Sequence, residues 1–375
     1  MTSRVGWVAV LASAVFLGGC SSSSDDERDD AGRPRQEPTT PTGSATAPTG
    51  SSTAPTTTPT DVVLTQDLPS GRPPHVPYLV GRRLSPAPWR LVGPDGTSQL
   101  VRKIPGEFAP LGGGIVSLVS AEGVSSVFVL GSDGRLVERP SYTSSSRLVV
   151  GAAGRAVGWV SLDRAKLRRS VVAATTEVRF ADGRRWLLPA RPDTVLVGIR
   201  GGAACARRHD RCRVVVSEGR RTYVVGPHSR RRITSHPAVD VRADLTTISS
   251  RSGTLCSAMW TPAGRRVWRD CHHGAVSFSP SGRHVLAIEG EGTQVATRRI
   301  FILDDRGRVE STFRAPRRLA IMGATWEDDR HLLLVVSRDW TTSYVVRVAV
   351  DGHAELVFPS QGRIRTLVTY QLPTR

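Results

Sequence analysis

The chain has 375 residues and a formal net charge of +18, from 51 Lys and Arg against 33 Asp and Glu. Its 36 glycines and 25 prolines argue against a helical bundle and favour a turn-rich, all-β chain. No apolar run reaches the length of about 18 residues that a transmembrane helix needs, so the sequence predicts no permanent membrane-spanning helix.

The first 20 residues have the pattern of an export signal. Arg4 precedes an apolar stretch from Val5 to Leu17, which is too short to cross about 30 Å of hydrocarbon. The tetrad Leu17-Gly18-Gly19-Cys20 resembles the lipobox of bacterial lipoproteins. This resemblance implies that residues 1–19 are a signal peptide and that Cys20 becomes a lipidated, membrane-anchored N-terminus. An ordinary cleaved signal with an incidental cysteine is the alternative.

Residues 20–60 form the lipidated cysteine and a linker. Four serines and an acidic cluster, Asp25 to Asp30, precede a Thr/Pro/Ala/Gly tract from Pro38 to Thr60. This tract contains no Val, Ile, Leu or aromatic residue and cannot bury enough apolar area to offset the entropy of ordering. We therefore expect a disordered stalk that is a candidate for O-glycosylation.

Residues 61–375 show a repeated turn. A glycine that is usually preceded by an acidic residue separates apolar runs, at intervals that average about 43 residues. Such a period, with four short strands in each repeat, is typical of propeller blades. The sequence therefore predicts an all-β, seven-bladed β-propeller, with six or eight blades and a pair of β-sandwiches as alternatives. The seven glycines are Gly96, Gly134, Gly183, Gly219, Gly264, Gly307 and Gly352.

A second turn carries a family resemblance. The stretch Val276 to Leu286 contains Phe278-Ser279-Pro280-Ser281-Gly282-Arg283 and resembles the Trp-Ser-Pro-Asp-Gly-Lys motif of TolB-like and WD-repeat-like propellers. The next repeat has Trp326 to His331 at the equivalent place, without the Pro-x-Gly core. The earlier repeats lack the motif, so the resemblance covers about 100 residues. Together with the lipobox and the arginine-rich, lysine-poor composition, it suggests a lipoprotein of the actinobacterial type.

Four cysteines remain in the domain, which in an exported chain suggests two disulfides. Proximity favours the pairs Cys205–Cys212 and Cys256–Cys271, although four cysteines allow three pairings. The second pair flanks a predicted turn at Gly264, where a hairpin would place the thiols opposite each other. A zinc site that uses neighbouring histidines is the alternative. The spacing fits no common zinc motif, so we predict no metal and no cofactor.

Arginines provide the most specific prediction of a binding surface. Residues 61–375 carry a net charge of +20, and clusters of basic residues fall in the predicted second-to-third-strand and blade-to-blade connections, which share one rim. The guanidinium group binds phosphate and carboxylate well, so this rim is a candidate anion-binding surface. Arginines that simply reflect a GC-rich genome are the alternative. The candidate residues are Arg164, Lys166, Arg168, Arg169, Arg207, Arg208, Arg211, Arg230, Arg231, Arg232, Arg298, Arg299, Arg314, Arg317 and Arg318.

No catalytic motif is present. The sequence lacks a phosphate-binding loop, a nucleophile elbow and a zinc-protease motif. The carboxylate pairs Asp304/Asp305 and Asp328/Asp329 fall at predicted turns, where aspartate is common for backbone reasons. We therefore expect a monomeric, extracytoplasmic, non-catalytic binding or scaffolding module. Its expected partners are anionic envelope polymers, lipids or an acidic protein, and nucleic acid is not expected outside the cell. The alternative is a hydrolase or lyase acting on glycans or lactones at the central channel.

Overall fold

The structure is a computed structural model, and its described residues all belong to the unit Thr56–Arg375. The predicted signal peptide, Cys20 and nearly all of the linker lie outside the described residues. Within the described ranges, no helix is both long and apolar enough to cross a membrane. The described residues are 59–81, 88–101, 106–121, 124–143, 147–151, 154–162, 173–208, 211–250, 256–289, 296–338, 343–358 and 369–373.

Short strands account for most of the described residues. In the first half of the chain they are β1 (Thr60–Val63), β2 (Tyr78–Gly81), β3 (Trp89–Val92), β4 (Ser98–Val101), β5 (Glu107–Leu111), β6 (Gly114–Ala121), β7 (Val124–Leu130), β8 (Ser141–Thr143), β9 (Val149–Gly151), β10 (Ala156–Leu162), β11 (Ala174–Phe180), β12 (Arg185–Ala190), β13 (Thr194–Arg200) and β14 (Arg213–Glu218). One short helix, α1 (Gly202–Arg207), connects β13 to β14.

The second half contains only strands within its described residues. They are β15 (Arg221–Gly226), β16 (Ser229–Thr234), β17 (Ala238–Val241), β18 (Thr247–Ser250), β19 (Ser257–Trp260), β20 (Arg266–Asp270), β21 (His273–Phe278), β22 (Val285–Glu289), β23 (Arg299–Leu303), β24 (Val309–Arg314), β25 (Ala320–Trp326), β26 (His331–Ser337), β27 (Ser343–Ala349), β28 (Ala354–Leu356) and β29 (Thr369–Gln371).

These strands form six sheets, and the chain has a β-propeller arrangement. Four-stranded sheets have the orders β29-β2-β3-β4, β13-β14-β15-β16, β17-β18-β19-β20 and β25-β26-β27-β28. A five-stranded sheet, β1-β24-β23-β22-β21, and an eight-stranded sheet containing β5 to β12 complete the set. The described residues therefore show five separate blades of four or five strands, and the prediction of seven separate blades is wrong in this respect. The two four-strand groups β5–β8 and β9–β12 are joined because β10 pairs with both β8 and β9.

The predicted glycine turns have the backbone conformation that a tight hairpin requires. All seven glycines have positive φ, between 55° at Gly219 and 91° at Gly352. Six of them connect the third and fourth strands of a four-strand group, whereas Gly219 connects the second strand, β14, to the third, β15. Gly282, in the TolB-like stretch, has a φ of 78° and connects a first strand to a second.

Strand direction gives the propeller two distinct ends. Consecutive strands are antiparallel, so connections from first to second and from third to fourth strands share one end, here called the hairpin end. Connections from second to third strands and from sheet to sheet share the other end, here called the crossover end. A hydrogen bond from Ser281 N to Asp329 Oδ1 (2.5 Å) joins two first-to-second connections at the hairpin end.

Both ends of the described chain take part in closing the ring. The C-terminal strand β29 pairs with β2, with Leu79 opposite Gln371. The N-terminal strand β1 extends the sheet β21–β24 by pairing in parallel with β24. Residues 64–76, here called the N-terminal strap, then cross to the last sheet, where Ser70 forms a bridge with Leu356 of β28. The strap is fixed by a hydrogen bond from Tyr344 Oη to Leu64 O (2.6 Å).

The apolar core lies mainly between successive sheets. One cluster of buried residues joins the sheet β21–β24 to the last sheet and includes Ile302, Phe313 and Leu334, each 0% exposed. Another lies between β9–β12 and β13–β16 and includes Trp186 and Leu196. Because successive side chains along a strand point to opposite faces of its sheet, the two faces of a sheet contribute to different clusters.

Candidate functional sites

Both predicted disulfides are confirmed. Cys205 of α1 is bonded to Cys212, and both side chains are fully buried. Cys256 and Cys271 flank the hairpin formed by β19 and β20 and are bonded to each other, as the position of the Gly264 turn predicts. In the described part of the chain, no group of three or more His, Cys, Asp or Glu residues is arranged to hold a metal ion.

The predicted arginine rim is not a single surface. Arg164, Lys166, Arg168 and Arg169 lie outside the described residues. Arg298 and Arg299 lie in or beside a second-to-third-strand connection and Arg314, Arg317 and Arg318 in or beside a sheet-to-sheet connection, all toward the crossover end as predicted. Arg207, Arg208 and Arg211 instead lie in the connection between β13 and β14, at the hairpin end. Arg230, Arg231 and Arg232 lie within the outermost strand β16 rather than in a loop.

The error has a structural cause in one repeat. Gly219 is predicted to lie in a hairpin turn at the same end as the other six glycines, but β13 takes the position of the first strand. The long connection that holds α1 then joins the first and second strands, and Gly219 follows the second. The number of strands that precede a turn in its sheet decides at which end of the propeller the turn lies. The prediction therefore places Arg207, Arg208 and Arg211 at the wrong end.

Several of these arginines are exposed cations without a nearby acid. Arg230 pairs with Glu218 at 2.5 Å and lies over the ring of Tyr223 at 4.2 Å. Arg299 pairs with Glu289 at 3.4 Å. Among the residues that the structure describes, no carboxylate lies within 4.0 Å of the other exposed members Arg207, Arg211, Arg231, Arg232, Arg298, Arg317 and Arg318.

Three polar side chains connect the first strands of different four-strand groups. Glu107 Oε2 accepts a hydrogen bond from Leu148 N at 3.0 Å, next to β9. Arg147 Nη2 donates to Val239 O of β17 at 2.6 Å. Asp240 Oδ2 accepts from Phe278 N of β21 at 2.8 Å. These side chains fasten edge strands to one another, which is a structural role for charged groups near the axis.

These surroundings shift the pKa of the Asp240 carboxyl group. Burial raises its pKa, and the N–H donors of Phe278 and Val241 together with the charges of Arg200 and Arg147 offset only part of the increase. Burial likewise lowers the pKa of Arg200, whose Nε has no hydrogen-bond partner in the described structure. The guanidinium group of Arg200 interacts with the charges of both Asp240 and Asp244, so these side chains form one electrostatic cluster.

A second charged group, here called the closing cluster, consists of Glu327, Arg347 and Glu355 in the last sheet. Arg347 Nε and Nη2 donate to the two oxygens of Glu327 at 2.6 and 3.0 Å, and Nη1 also donates to Glu355 Oε1. The side chains of Arg347 and Glu327 are only 3% and 1% exposed. Arg347 also donates to the strap carbonyls Arg72 O and Pro73 O, both at 3.0 Å.

The closing cluster has a defined protonation state. Burial opposes ionisation of Glu327, but hydrogen bonds from Arg347 and from His75 N (2.5 Å) outweigh it and lower the pKa of Glu327. Hydrogen bonds to the two glutamates raise the pKa of Arg347 despite its burial. Sequence reasoning did not identify this cluster. The available signal was a single arginine within the apolar strand Tyr344-Val345-Val346-Arg347-Val348.

The predicted turn aspartates have the backbone roles expected of them. Asp304 Oδ1 accepts from Arg306 N at 2.9 Å and from Arg308 N at 2.8 Å. Asp328 Oδ1 accepts from Arg330 N at 2.7 Å and from His331 N at 2.9 Å. Carboxylates that stabilise turns in this way are already engaged and do not form a pair suited to general acid–base catalysis.

Comparisons with known proteins show the fold. No protein-family model matches the chain, and no curated protein matches it. The β-propeller domain of the Trilobed protease from Pyrococcus furiosus aligns with a TM-score of 0.50 and 11% identity, over 79% of this chain and 99% of that domain. A prolyl endopeptidase aligns with a TM-score of 0.48 and 13% identity, over 80% of this chain and 51% of that one.

A TolB structure from Acinetobacter baumannii also aligns, with a TM-score of 0.38 and 10% identity over 80% of this chain and 66% of that one. The chain spans about half the length of the prolyl endopeptidase. At these identities the likenesses concern the fold alone. The described strands and the alignment with the Trilobed protease domain together establish a β-propeller.

Proposed function

We propose that this protein is an exported, lipid-anchored β-propeller that binds anionic envelope polymers without catalysing a reaction. Exposed arginines without a partner carry the proposal: Arg231, Arg232, Arg317 and Arg318 have no carboxylate within 4.0 Å among the described residues. A guanidinium group that is not neutralised within the protein remains available to phosphate or carboxylate in a ligand. Anionic lipid headgroups and acidic proteins share this chemistry.

The alternative, an enzyme that uses the central channel, has weaker support. The innermost carboxylates Glu107 and Asp240 accept backbone N–H bonds from neighbouring strands. A catalytic pair of carboxylates needs at least one oxygen directed at substrate, with the two groups at a set separation. These contacts favour a structural role for both residues.

We also propose that the eight-stranded sheet corresponds to two propeller blades. The strands β5–β8 and β9–β12 each repeat the connectivity of the other four-strand sheets, including a positive-φ glycine between the third and fourth strands. Counted in this way, the propeller has seven blades, two of which share hydrogen bonds through β10.

Charge reversal at β16 tests the binding proposal. The Arg231→Glu/Arg232→Glu variant of the full chain should bind immobilised polygalacturonate about tenfold more weakly, because two unneutralised cations become anions. The matched control reverses two exposed arginines that have acid partners, Arg135 with Asp133 at 3.7 Å and Arg191 with Asp193 at 3.2 Å. Affinity would be measured by surface plasmon resonance over a range of salt concentrations.

The control should lose less affinity than the β16 variant. Binding that is insensitive to salt, or an equal loss in both variants, would contradict a specific anion-binding surface.

The lipid anchor is tested by replacing its attachment site. The Cys20→Ala chain, expressed in a bacterium that processes lipoproteins, should lose the acyl modification and leave the membrane fraction. Stable anchoring requires at least two acyl chains, so removal of the lipidated residue should release nearly all of the protein. Mass spectrometry of fractionated cells provides the measurement. A variant that remains acylated and membrane-bound would show that the lipobox interpretation is wrong.

A further inference from the structure

The last sheet and the N-terminal strap together line an open cavity of about 340 Å³. It lies on the face of the sheet from which Leu333, Val335 and Val345 contribute to the apolar cluster beside the strap. A volume of this size falls within the usual range for small-molecule sites, which is about 300–1,000 Å³. The residues that line it include Ser70, Arg72, His331, His353 and Glu355.

The walls of this cavity are held in fixed positions. On the strap side, Arg347 donates to the carbonyls of Arg72 and Pro73 at 3.0 Å. Gly71 lies directly against the carboxyl group of Glu355, since an added Cβ would come within 2.3 Å of Glu355 Cδ. The backbone of Gly71 also donates to Leu356 O at 2.7 Å. A pocket whose walls are anchored in this way is pre-formed, which lowers the entropic cost of binding.

The lining offers both a positive charge and hydroxyl-binding groups. Arg72 and His353 are exposed, and neither side chain has a hydrogen-bond or ion-pair partner among the described residues. His331 uses Nδ1 to contact Asp328 at 2.9 Å, which leaves Nε2 for a ligand. Glu355 is held by Arg347 through Oε1, which leaves Oε2 as an acceptor. The hydroxyl of Ser70 adds a group that both donates and accepts.

This combination selects one ligand class. An apolar molecule would leave the acceptor of Glu355 and the guanidinium of Arg72 without partners, which is costly. A bare inorganic anion would match Arg72 but would place negative charge near Glu355. A sugar ring that carries one anionic substituent satisfies both groups, because its hydroxyls bind Glu355, Ser70 and the histidines while the anionic group faces Arg72.

We propose that this cavity binds a single anionic sugar unit, such as one residue of an acidic polysaccharide. This inference rests on the proposed binding of anionic envelope polymers and identifies where one unit of such a polymer is held. The planar fork of Arg72 accommodates either a carboxylate or a phosphate. The arrangement is therefore specific for an acidic sugar, while the choice between these two groups is a matter for measurement.

Titration of the full chain with glucuronate, glucose 6-phosphate and methyl glucoside tests the inference. Binding would be followed by saturation-transfer NMR and by the shift in thermal midpoint that ligand binding produces. We expect at least one acidic sugar to bind about tenfold more tightly than methyl glucoside, because the neutral sugar cannot pair with Arg72. The two acidic probes distinguish carboxylate from phosphate recognition.

Two exposed side chains provide the variants. Arg72→Ala should remove about tenfold of the affinity for the preferred acidic sugar, and His353→Ala should reduce it by a smaller factor. Both should preserve the fold, because the strap is held through backbone atoms of residue 72 and His353 is exposed. The matched control is Arg135→Ala, which removes an arginine that is 88% exposed and lies in the connection between β7 and β8.

The outcomes separate this inference from the proposed function. Unchanged acidic-sugar affinity in Arg72→Ala, or equal binding of methyl glucoside, would overturn the cavity site. Inorganic phosphate that competes as well as glucose 6-phosphate would also overturn it, because the hydroxyl contacts would then be idle. If the protein bound polygalacturonate but none of the monosaccharides, the cavity inference would be wrong and the proposed polymer binding would stand. If the Arg231→Glu/Arg232→Glu variant lost polymer binding but still bound the acidic monosaccharide, the result would support both the cavity inference and the proposed function.

Discussion

Replacing Arg347 with methionine should lower the free energy of unfolding by about 3–5 kcal/mol at pH 7, because it leaves the buried Glu327 without a counter-charge. Arg347 has a side chain that is 3% exposed and is the ion-pair partner of Glu327, which is 1% exposed. The change also removes two hydrogen bonds to the strap. Urea denaturation followed by tryptophan fluorescence would measure the loss.

The matched control is the same substitution, arginine to methionine, at an exposed position. Arg330→Met removes an arginine that is 68% exposed and lies 3.8 Å from Asp351, so the loss should be below about 1 kcal/mol. If the two variants were equally stable, the closing cluster would not have the structural role assigned to it. The Arg347→Met/Glu327→Leu double variant should recover part of the loss, because the buried charge of Glu327 is then removed together with its partner.

The effect of Arg347→Met should shrink as the pH falls. In the folded protein the pKa of Glu327 lies below its ordinary value of 4.5. Its ionised form therefore stabilises the fold above that value, and this contribution is lost as the pH falls through the lowered pKa. Without Arg347, burial would favour the protonated acid instead. Stability measured from pH 7 to pH 4 should therefore bring the variant closer to the unmodified protein.

Removal of the Cys256–Cys271 disulfide should have the second large effect. The crosslink spans a sequence separation of 15 residues, for which the loss of loop entropy in the unfolded chain predicts about 3 kcal/mol. Cys256 is partly buried and Cys271 is exposed, so Cys256→Ser/Cys271→Ser changes little apolar packing. Thermal unfolding followed by circular dichroism would show the decrease.

Reduction provides the control for this variant. Dithiothreitol should destabilise the unmodified chain more than the double serine variant, in which only Cys205–Cys212 remains to be reduced. A variant that loses less than about 1 kcal/mol would contradict the estimate from loop entropy. Destabilisation by dithiothreitol that is equal in the two proteins would assign the stabilising role to the buried disulfide alone.

Local features of the sequence were the ones that could be predicted. Asp-Gly turns and the Cys256–Cys271 hairpin depend on residues close in the chain, and their conformations follow from the freedom of glycine and the geometry of a hairpin. The position of Gly219 shows the limit. The turn itself was predicted correctly, but its rank among the strands of its sheet depends on pairing across the whole repeat.

The charged clusters could not be predicted because they are long-range. Arg347 and Arg72, for example, are separated by 275 positions in the sequence and meet only when the strap crosses the last sheet. The innermost residues Glu107, Arg147 and Asp240 similarly lie in or beside different four-strand groups. Periodicity identifies strands and turns, but it does not identify which charged side chains face one another across a sheet boundary.

Strand β1 gives the molecule a mechanical property. Residue 59 lies at the hairpin end of β1, and the four residues of β1 pair in parallel with Ser311 to Arg314. A force that pulls residue 59 outward, past the hairpin end, therefore acts along β1. The hydrogen bonds of the pair are then loaded together in shear, instead of opening one after another. Tension that enters through the N-terminus is thus borne first by the sheet β21–β24 and next by the last sheet. The β2–β29 pair, which closes the ring, is shielded from that load.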